Sequence, residues 1–544
     1  MEGGPPIRRA EWLTIRSFQF RGFMMPQTNS LIRRKFLYAA LMAAWLAGMG
    51  PVQTLAQEAP AGPAPSAGTV EAGKTISETG KASSKRLTLA LPGGNLSYTA
   101  TAEMMPIVDG KGETTARLFV ASYTLEDKDP ATRPVTFLFN GGPGAASAFL
   151  HLGVVGPRVL VTNQDGTLPR PPAKLMDNPE TWLGFTDLVF VDPVGTGYSR
   201  ATGKDDDAEK RFWGVKGDVS SLSEIVRLWL TKNGRWASPK FLAGESYGGF
   251  RAVMMARDLQ RNAGVALNGM VLVSPALEFS LLRGGDHDLL GWAMALPSMA
   301  ASARDNGLGV PTGQEEAERF ALNDYLVGLA NLTDPDSDQS KAFNARISRL
   351  TGVPVDVVER HAAKLPIQIF AKELLREPGR IVSLYDGTIR FPDPSPERQS
   401  VGSDPLLDAL VAPYSTTFND YVRRELGFES DVPFRLLNWR VSGEWDWDLG
   451  RQQGFAGATE ALQNAMAVNP DMHVLVTHGV HDLVTPYLAS RWLIDQVRLP
   501  REVKANMTVK TYQGGHMMYL RPEERRLMNE DVRRLYDAAL GLRR

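Results

Sequence analysis

Lys240-Phe241-Leu242-Ala243-Gly244-Glu245-Ser246-Tyr247-Gly248-Gly249 is the stretch that decides the fold. An apolar, strand-like run, Lys240 to Ala243, leads into the pattern Gly-x-Ser-x-Gly, and a helical run, Phe250 to Leu259, leads out. A strand, a tight turn and a helix with serine at the apex make a nucleophile elbow. Side chains at Gly244 and Gly248 would collide with neighbouring backbone, and the serine is held in a strained conformation that pushes its hydroxyl out of the turn. The helix that starts there points its positive end at the reacting oxygen. Ser246 is the candidate nucleophile. A glycine-rich turn that happens to contain serine is the bland alternative, and the strand and helix around it weigh against that.

Working outward, Val135 to Phe139 is a continuous apolar run of the kind buried on both faces of a sheet. It ends in Asn140-Gly141-Gly142-Pro143-Gly144. Thr186 to Val191 is a second such strand, closed by Asp192-Pro193-Val194-Gly195-Thr196-Gly197-Tyr198. A helical pattern over Asp218 to Leu230, the elbow, and a strand at Met270 to Val273 follow. Leu96 to Thr101 and Arg117 to Thr124 read as early antiparallel strands, with order beginning near Leu87. Sheet character resumes at His473 to Thr477 and Met507 to Tyr512, before a helix from Pro522 to Leu540. The alternation predicts an α/β fold, a doubly wound and mostly parallel sheet. Its core is expected over residues 86–280 and 436–544, with a helical cap inserted over 281–435.

The chain of 544 residues has an ordinary globular composition and a formal net charge of −1, so nothing points to a nucleic-acid partner. Residues 1–56 differ from the rest, with seven Lys/Arg against two Asp/Glu. They read as an export signal: Arg33-Arg34-Lys35, the apolar stretch Phe36 to Met49, and a small-residue cleavage site at Thr54-Leu55-Ala56. The apolar stretch is too short to span a membrane, so no stable span is expected after cleavage. Arg33 to Leu37 resembles a twin-arginine signal, and Met24-Met25 is an alternative start. The expected location is periplasmic or extracellular. Residues 57–85 read as a flexible tether rich in Ala, Pro, Gly, Ser and Thr. Cysteine is absent, so neither disulfides nor thiolate metal sites are available.

A serine hydroxyl needs a base to take its proton. His516, in Gly514-Gly515-His516-Met517, follows the last strand on a loop that two glycines let approach the elbow. Asp482, in His478-Gly479-Val480-His481-Asp482, follows the preceding strand and is the candidate acid that orients the imidazole. Asp471 lies at the wrong end of that strand, and Asp446 and Asp448 belong to a tryptophan-rich wall. His473, His478 and His481 lack a carboxylate pattern for zinc, and neither metal nor cofactor is expected. The oxyanion needs donors already in place. The elbow offers the Tyr247 amide, and Gly142 in the earlier glycine loop offers the second.

At these residues the chain resembles the serine carboxypeptidases, and more closely their bacterial exported members. The resemblance is carried by Phe139 to Gly144, Asp192 to Ser199, Gly244 to Gly249 and Gly514 to Met517. It implies an α/β-hydrolase fold with a helical cap, release of single residues from peptide C-termini, and a Ser246-Asp482-His516 triad. It also implies a site for the substrate's terminal carboxylate at Asn140, Gly141 and Glu245. An ionised Glu245 would repel that carboxylate, whereas a protonated one donates to it. The family's second glutamate is replaced by Val154, and the cysteine after the glycine loop by Ala145-Ala146-Ser147. The competing expectations are an esterase or aminopeptidase of the same superfamily, or a non-catalytic binding protein on that scaffold. The oligomeric state is open.

Overall fold

The computed structural model describes residues 80–203, 207–282, 285–449 and 455–542. The export signal and the tether up to residue 79 lie outside them. The end of the tether reading needs correction. Strand β1, Ser83–Leu91, starts four residues before Leu87 and pairs antiparallel with β2, Gly94–Val108. Alternating burial along β1 shows a half-buried edge strand, whose polar residues resemble a linker in sequence.

β2 pairs antiparallel with β3, Thr114–Leu125, and β3 with β5, Asp187–Val191. From β5 onward every pairing is parallel: β4 (Val135–Phe139), β6 (Lys240–Glu245), β7 (Gly269–Val273), β8 (His473–Gly479) and β9 (Met507–Tyr512). The order across the sheet is β1-β2-β3-β5-β4-β6-β7-β8-β9, and the two-residue strand Arg200–Ala201 adds a short pairing to β3. β4 and β6 are neighbours whose onward connections run in opposite directions. Such a switch point opens a crevice at the carboxyl ends of the strands, between residues 140–144 and 245–249.

Period-two alternation divides the strands between two cores. Leu242, Met270, Leu272, Val474 and Val476 face helices α1 (Val215–Lys232) and α2 (Tyr247–Asp258), through Leu222, Ile225, Trp229 and Phe250. Phe241, Ala243, Val271, Val273 and Leu475 face the other way, toward Met528, Val532 and Tyr536 of the last helix, Pro522–Ala539. This is a doubly wound, mostly parallel α/β sheet with helices on both faces, as the alternation of strands and helices predicts.

Among the described residues between β7 and β8 lie helices and one small hairpin, Arg380–Val382 with Arg390–Pro392. The main sheet is not rejoined until His473. The helix Pro405–Tyr421 in this insertion is also core: Tyr414, Phe418 and Tyr421 pack with Phe149, His151 and Tyr123. Its start is written in the sequence as Asp404-Pro405, a cap followed by a residue with no amide to satisfy. Asp404 Oδ1 accepts from the Leu406 and Leu407 amides at 3.0 Å each, and Oδ2 from Ser383 and the Leu384 amide. One carboxylate thus ties the helix to the hairpin loop behind the crevice.

Candidate active site

Ser246 sits at φ 59°, ψ −124°, a conformation costing a non-glycine residue about 1–3 kcal/mol. Its surroundings hold it there. Its amide donates to Val273 O at 2.9 Å, and its carbonyl accepts from Gly249 at 2.9 Å and Ala276 at 3.2 Å. The flanking glycines are obligatory: a Cβ on Gly244 would lie 2.0 Å from Gly248 O, and one on Gly248 2.5 Å from Phe139 O. Ser246 is only partly covered and lines a cleft of about 240 Å³ together with His516, Glu245 and Gly142.

His516 and Asp482 come from the loops after β9 and β8, at the same sheet edge. His516 Nδ1 is 2.8 Å from Asp482 Oδ2. An aspartate oxygen at that position accepts, so Nδ1 carries the proton and the neutral ring leaves Nε2 free to act as a base. Asp482 is held in turn. Its Oδ1 accepts from the Val484 and Thr485 amides at 2.8 and 2.9 Å, and its Oδ2 from the Thr485 hydroxyl at 2.7 Å. Burial works to lower the His516 pKa, but Asp482, with Glu245 and Asp404 further off, outweighs it, and the net direction is upward. The His516 amide donates to Tyr385 O, and the Tyr385 ring meets the imidazole edge-on at 5.0 Å. The inserted segment therefore helps to place the imidazole.

Gly142 adopts φ +100°, which a side chain disfavours. Its amide and that of Tyr247 donate to no protein acceptor among the described residues. Gly141 packs so closely on the elbow that a Cβ there would lie 2.6 Å from the Tyr247 nitrogen. Asn140 Nδ2 donates to Glu245 Oε2, and the Tyr519 hydroxyl lies 2.9 Å from both Glu245 oxygens. Burial pushes the Glu245 pKa up to about 7, against the opposing pull of His516 and of both donors. Val154 is fully buried, and Glu245 meets no second carboxylate among its hydrogen-bond partners.

Of the remaining candidates, Asp471 stands just before β8, where its carbonyl lies 3.0 Å from His473 Nδ1. Trp445 and Trp447 pack edge-on against the Tyr247 ring at 5.3 and 5.5 Å. The tryptophan that lines the cleft is Trp439, which is 64% exposed. His478 is buried, and burial pushes its pKa down to about 4, so it is neutral. His481 bridges loops: Nδ1 accepts from the Gly514 amide at 3.2 Å, and Nε2 donates to Asp305 at 2.6 Å. Among the described residues, no group of three His, Cys, Asp or Glu is placed to hold a metal.

Four positions escaped the sequence reading. Tyr385 and Thr485 carry no local motif. Tyr519 stands three residues after His516 but gave no signal by itself. Arg251 had one: a charge inside the apolar pattern of α2. It is fully buried, pairs with Asp218 of α1 at 2.6 Å, and donates to the Asn140 carbonyl.

Residues 106–279 match the family model described as serine carboxypeptidase. "Serine carboxypeptidase-like 16" of Arabidopsis thaliana is 27% identical over 185 residues, covering 32% of this chain and 40% of that protein. A pheromone-processing carboxypeptidase of Yarrowia lipolytica is 33% identical over 144 residues, 26% of this chain and 21% of its own. The matched segments thus span less than half the length of these curated relatives. Among solved structures, a thermostable carboxyl esterase from Bacillus coagulans aligns over 81% of this chain and 99% of its own, at 12% identity and a TM-score of 0.35.

Proposed function

We propose, from the serine carboxypeptidase domain that residues 106–279 carry, that this chain is an exported serine carboxypeptidase acting through an acyl-enzyme. The observation that carries the reading is one cleft lined by Ser246 at a strained elbow, by the free amides beside it, and by His516 hydrogen-bonded to Asp482. Ser246 Oγ attacks the scissile carbonyl while His516 Nε2 takes its proton. Asp482 stabilises the imidazolium, and the Gly142 and Tyr247 amides receive the oxyanion. His516 returns the proton to the departing amine, and water repeats the sequence to release the acid.

The free terminal carboxylate of the substrate sits at Asn140, Gly141 and Glu245. No Lys or Arg lines the cleft among the described residues, so a protonated Glu245 is the donor that tolerates this anion. Apolar walls, including Phe149, Phe279, Leu407 and Trp439, suit peptides with large apolar side chains at the scissile bond. Export rests on the basic and apolar features of residues 33–49.

The test is release of the C-terminal residue from a blocked dipeptide. Ser246→Ala should reduce kcat by roughly 10⁴- to 10⁶-fold and abolish fluorophosphonate labelling. Retained turnover in the variant would refute the assignment. That no Lys or Arg lines the cleft among the described residues also fits a second reading, an esterase indifferent to a free carboxylate. Equal rates on free-acid and amidated peptides would select it.

A further inference from the structure

Glu245 ends β6 with its carboxyl almost fully buried, and two donors hold it. The orientation of Asn140 is fixed, because its Oδ1 accepts from the Leu150 amide at 2.9 Å and its Nδ2 must then face Glu245 Oε2. Tyr519 approaches from the other side, its hydroxyl 2.9 Å from Oε1 and from Oε2. Tyr519 is fully buried, and its hydroxyl meets no other acceptor among the described residues. A buried phenol donates its proton when an acceptor is within reach.

The Tyr519 ring also fills the space beside residues 151–155, the turn that carries Val154. A Cβ on Gly153 would lie 2.5 Å from that ring.

These contacts leave one place for the acidic proton. Oε2 accepts from Asn140, so a proton on Glu245 sits on Oε1. With Oε1 protonated, the Tyr519 proton goes to Oε2, 2.9 Å away, and the Oε1 hydroxyl is left to turn outward. The Oε1 hydroxyl then turns to the cleft that Glu245 lines with Gly141 and Ser246.

We propose that Tyr519 is a positioning residue of the terminal-carboxylate site: by donating to Glu245 from behind, it keeps the Oε1 proton directed at the substrate's carboxylate. The proposal rests on the carboxypeptidase reading above.

The other groups facing Glu245 are His516, whose charge favours its anion, and Asp482, whose charge opposes it. The hydroxyls of Tyr385 and Tyr414 also feel its charge. Against that constant background, Tyr519→Phe removes one donor and keeps the ring. Two consequences have opposite signs. Glu245 loses a contact that favours its anion, so it holds its proton to higher pH. The proton also loses its direction, so the free carboxylate binds less well. A residue that merely packs would not produce this combination.

The experiment compares wild type and Tyr519→Phe on a blocked dipeptide with a free C-terminus and on its amidated counterpart. In the variant, KM for the free acid should rise several-fold, more than any change with the amide. The alkaline limb of kcat/KM should move up by roughly one pH unit. Infrared difference spectra give a readout without substrate: the protonated carboxyl band that disappears in Glu245→Gln should persist to higher pH in Tyr519→Phe. A band that titrates at the wild-type pH or below, or equal losses on both substrates, overturns the proposal. Equal wild-type rates on the two substrates overturn the carboxypeptidase reading and the proposal with it. A retained wild-type preference with an unmoved band overturns the proposal alone.

Discussion

Glu245 meets two opposed demands, and its protonation state resolves them. Burial favours the neutral acid, while the donors Asn140 and Tyr519 favour the anion; burial prevails and the pKa rises to about 7. The sign follows. On the proposed carboxypeptidase reading, below that pH Glu245 is a donor and tolerates a substrate carboxylate beside it. As pH rises through it, an anion forms there and repels the substrate. The ratio of kcat/KM for free-acid over amidated peptides should therefore fall between about pH 6 and about pH 8. Glu245→Gln keeps a donor at every pH, so its ratio should be flat over that range. A wild-type ratio that rises with pH would sink the neutral-donor role. His516 imposes the opposite limb, since it acts as a base only while neutral, and its pKa is raised by Asp482. The residues that form this balance were legible to different degrees. Glu245 and Asn140 lie within glycine motifs. Tyr519 does not, because nothing in its neighbours along the chain shows what its hydroxyl will face.

At the scale of elements, a few buried polar groups lock loops to helices. Arg251 of α2 joins Asp218 of α1 and the carbonyl of Asn140, so one guanidinium ties two helices to the glycine loop. Arg251→Ala leaves Asp218 buried and unpaired and should destabilise the fold by about 3–5 kcal/mol in denaturant titrations. The Asp218→Ala, Arg251→Ala double variant should cost less than the two single losses added together, since they remove one interaction. Trp439 offers a contrast. It heads the short helix Trp439–Gly443, lines the cleft and remains largely exposed. Trp439→Ala should leave stability within about 0.5 kcal/mol. It should lower kcat/KM roughly tenfold for peptides with a bulky apolar side chain at the scissile bond, and less for alanine-containing ones. Thermal melts and a matched peptide series check both statements. A uniform loss across the series would mean that Trp439 shapes the cleft without touching the substrate side chain.

For the whole molecule, the sheet edge governs everything. β4 and β6 lie side by side while their onward connections diverge, and the glycine loop, elbow, acid loop and base loop all emerge at that edge. The insertion between β7 and β8 closes one side, with the Tyr385 carbonyl holding His516 and Leu407 lining the cleft. No described helix is long and apolar enough to cross a membrane. The export reading predicts a mature N-terminus at or near Gln57, checked by N-terminal sequencing of secreted protein. A retained Met1 or Met25 terminus in active enzyme would count against cleavage there.

The order of the main strands and helices, the serine at the elbow, and the candidate acid and base that follow the last two strands were determined by the sequence alone. Those features rest on local physics: apolar runs that must be buried on both faces, and turns that admit only glycine. Tertiary structure decided the rest. It brought the Asp482 carboxylate to His516 across 34 residues, Tyr519 to Glu245 across 274, and the Tyr385 carbonyl to the imidazole. Side chains distant along the chain share no periodicity, so their partners are set only when the sheet and its insertion pack and water is excluded between them.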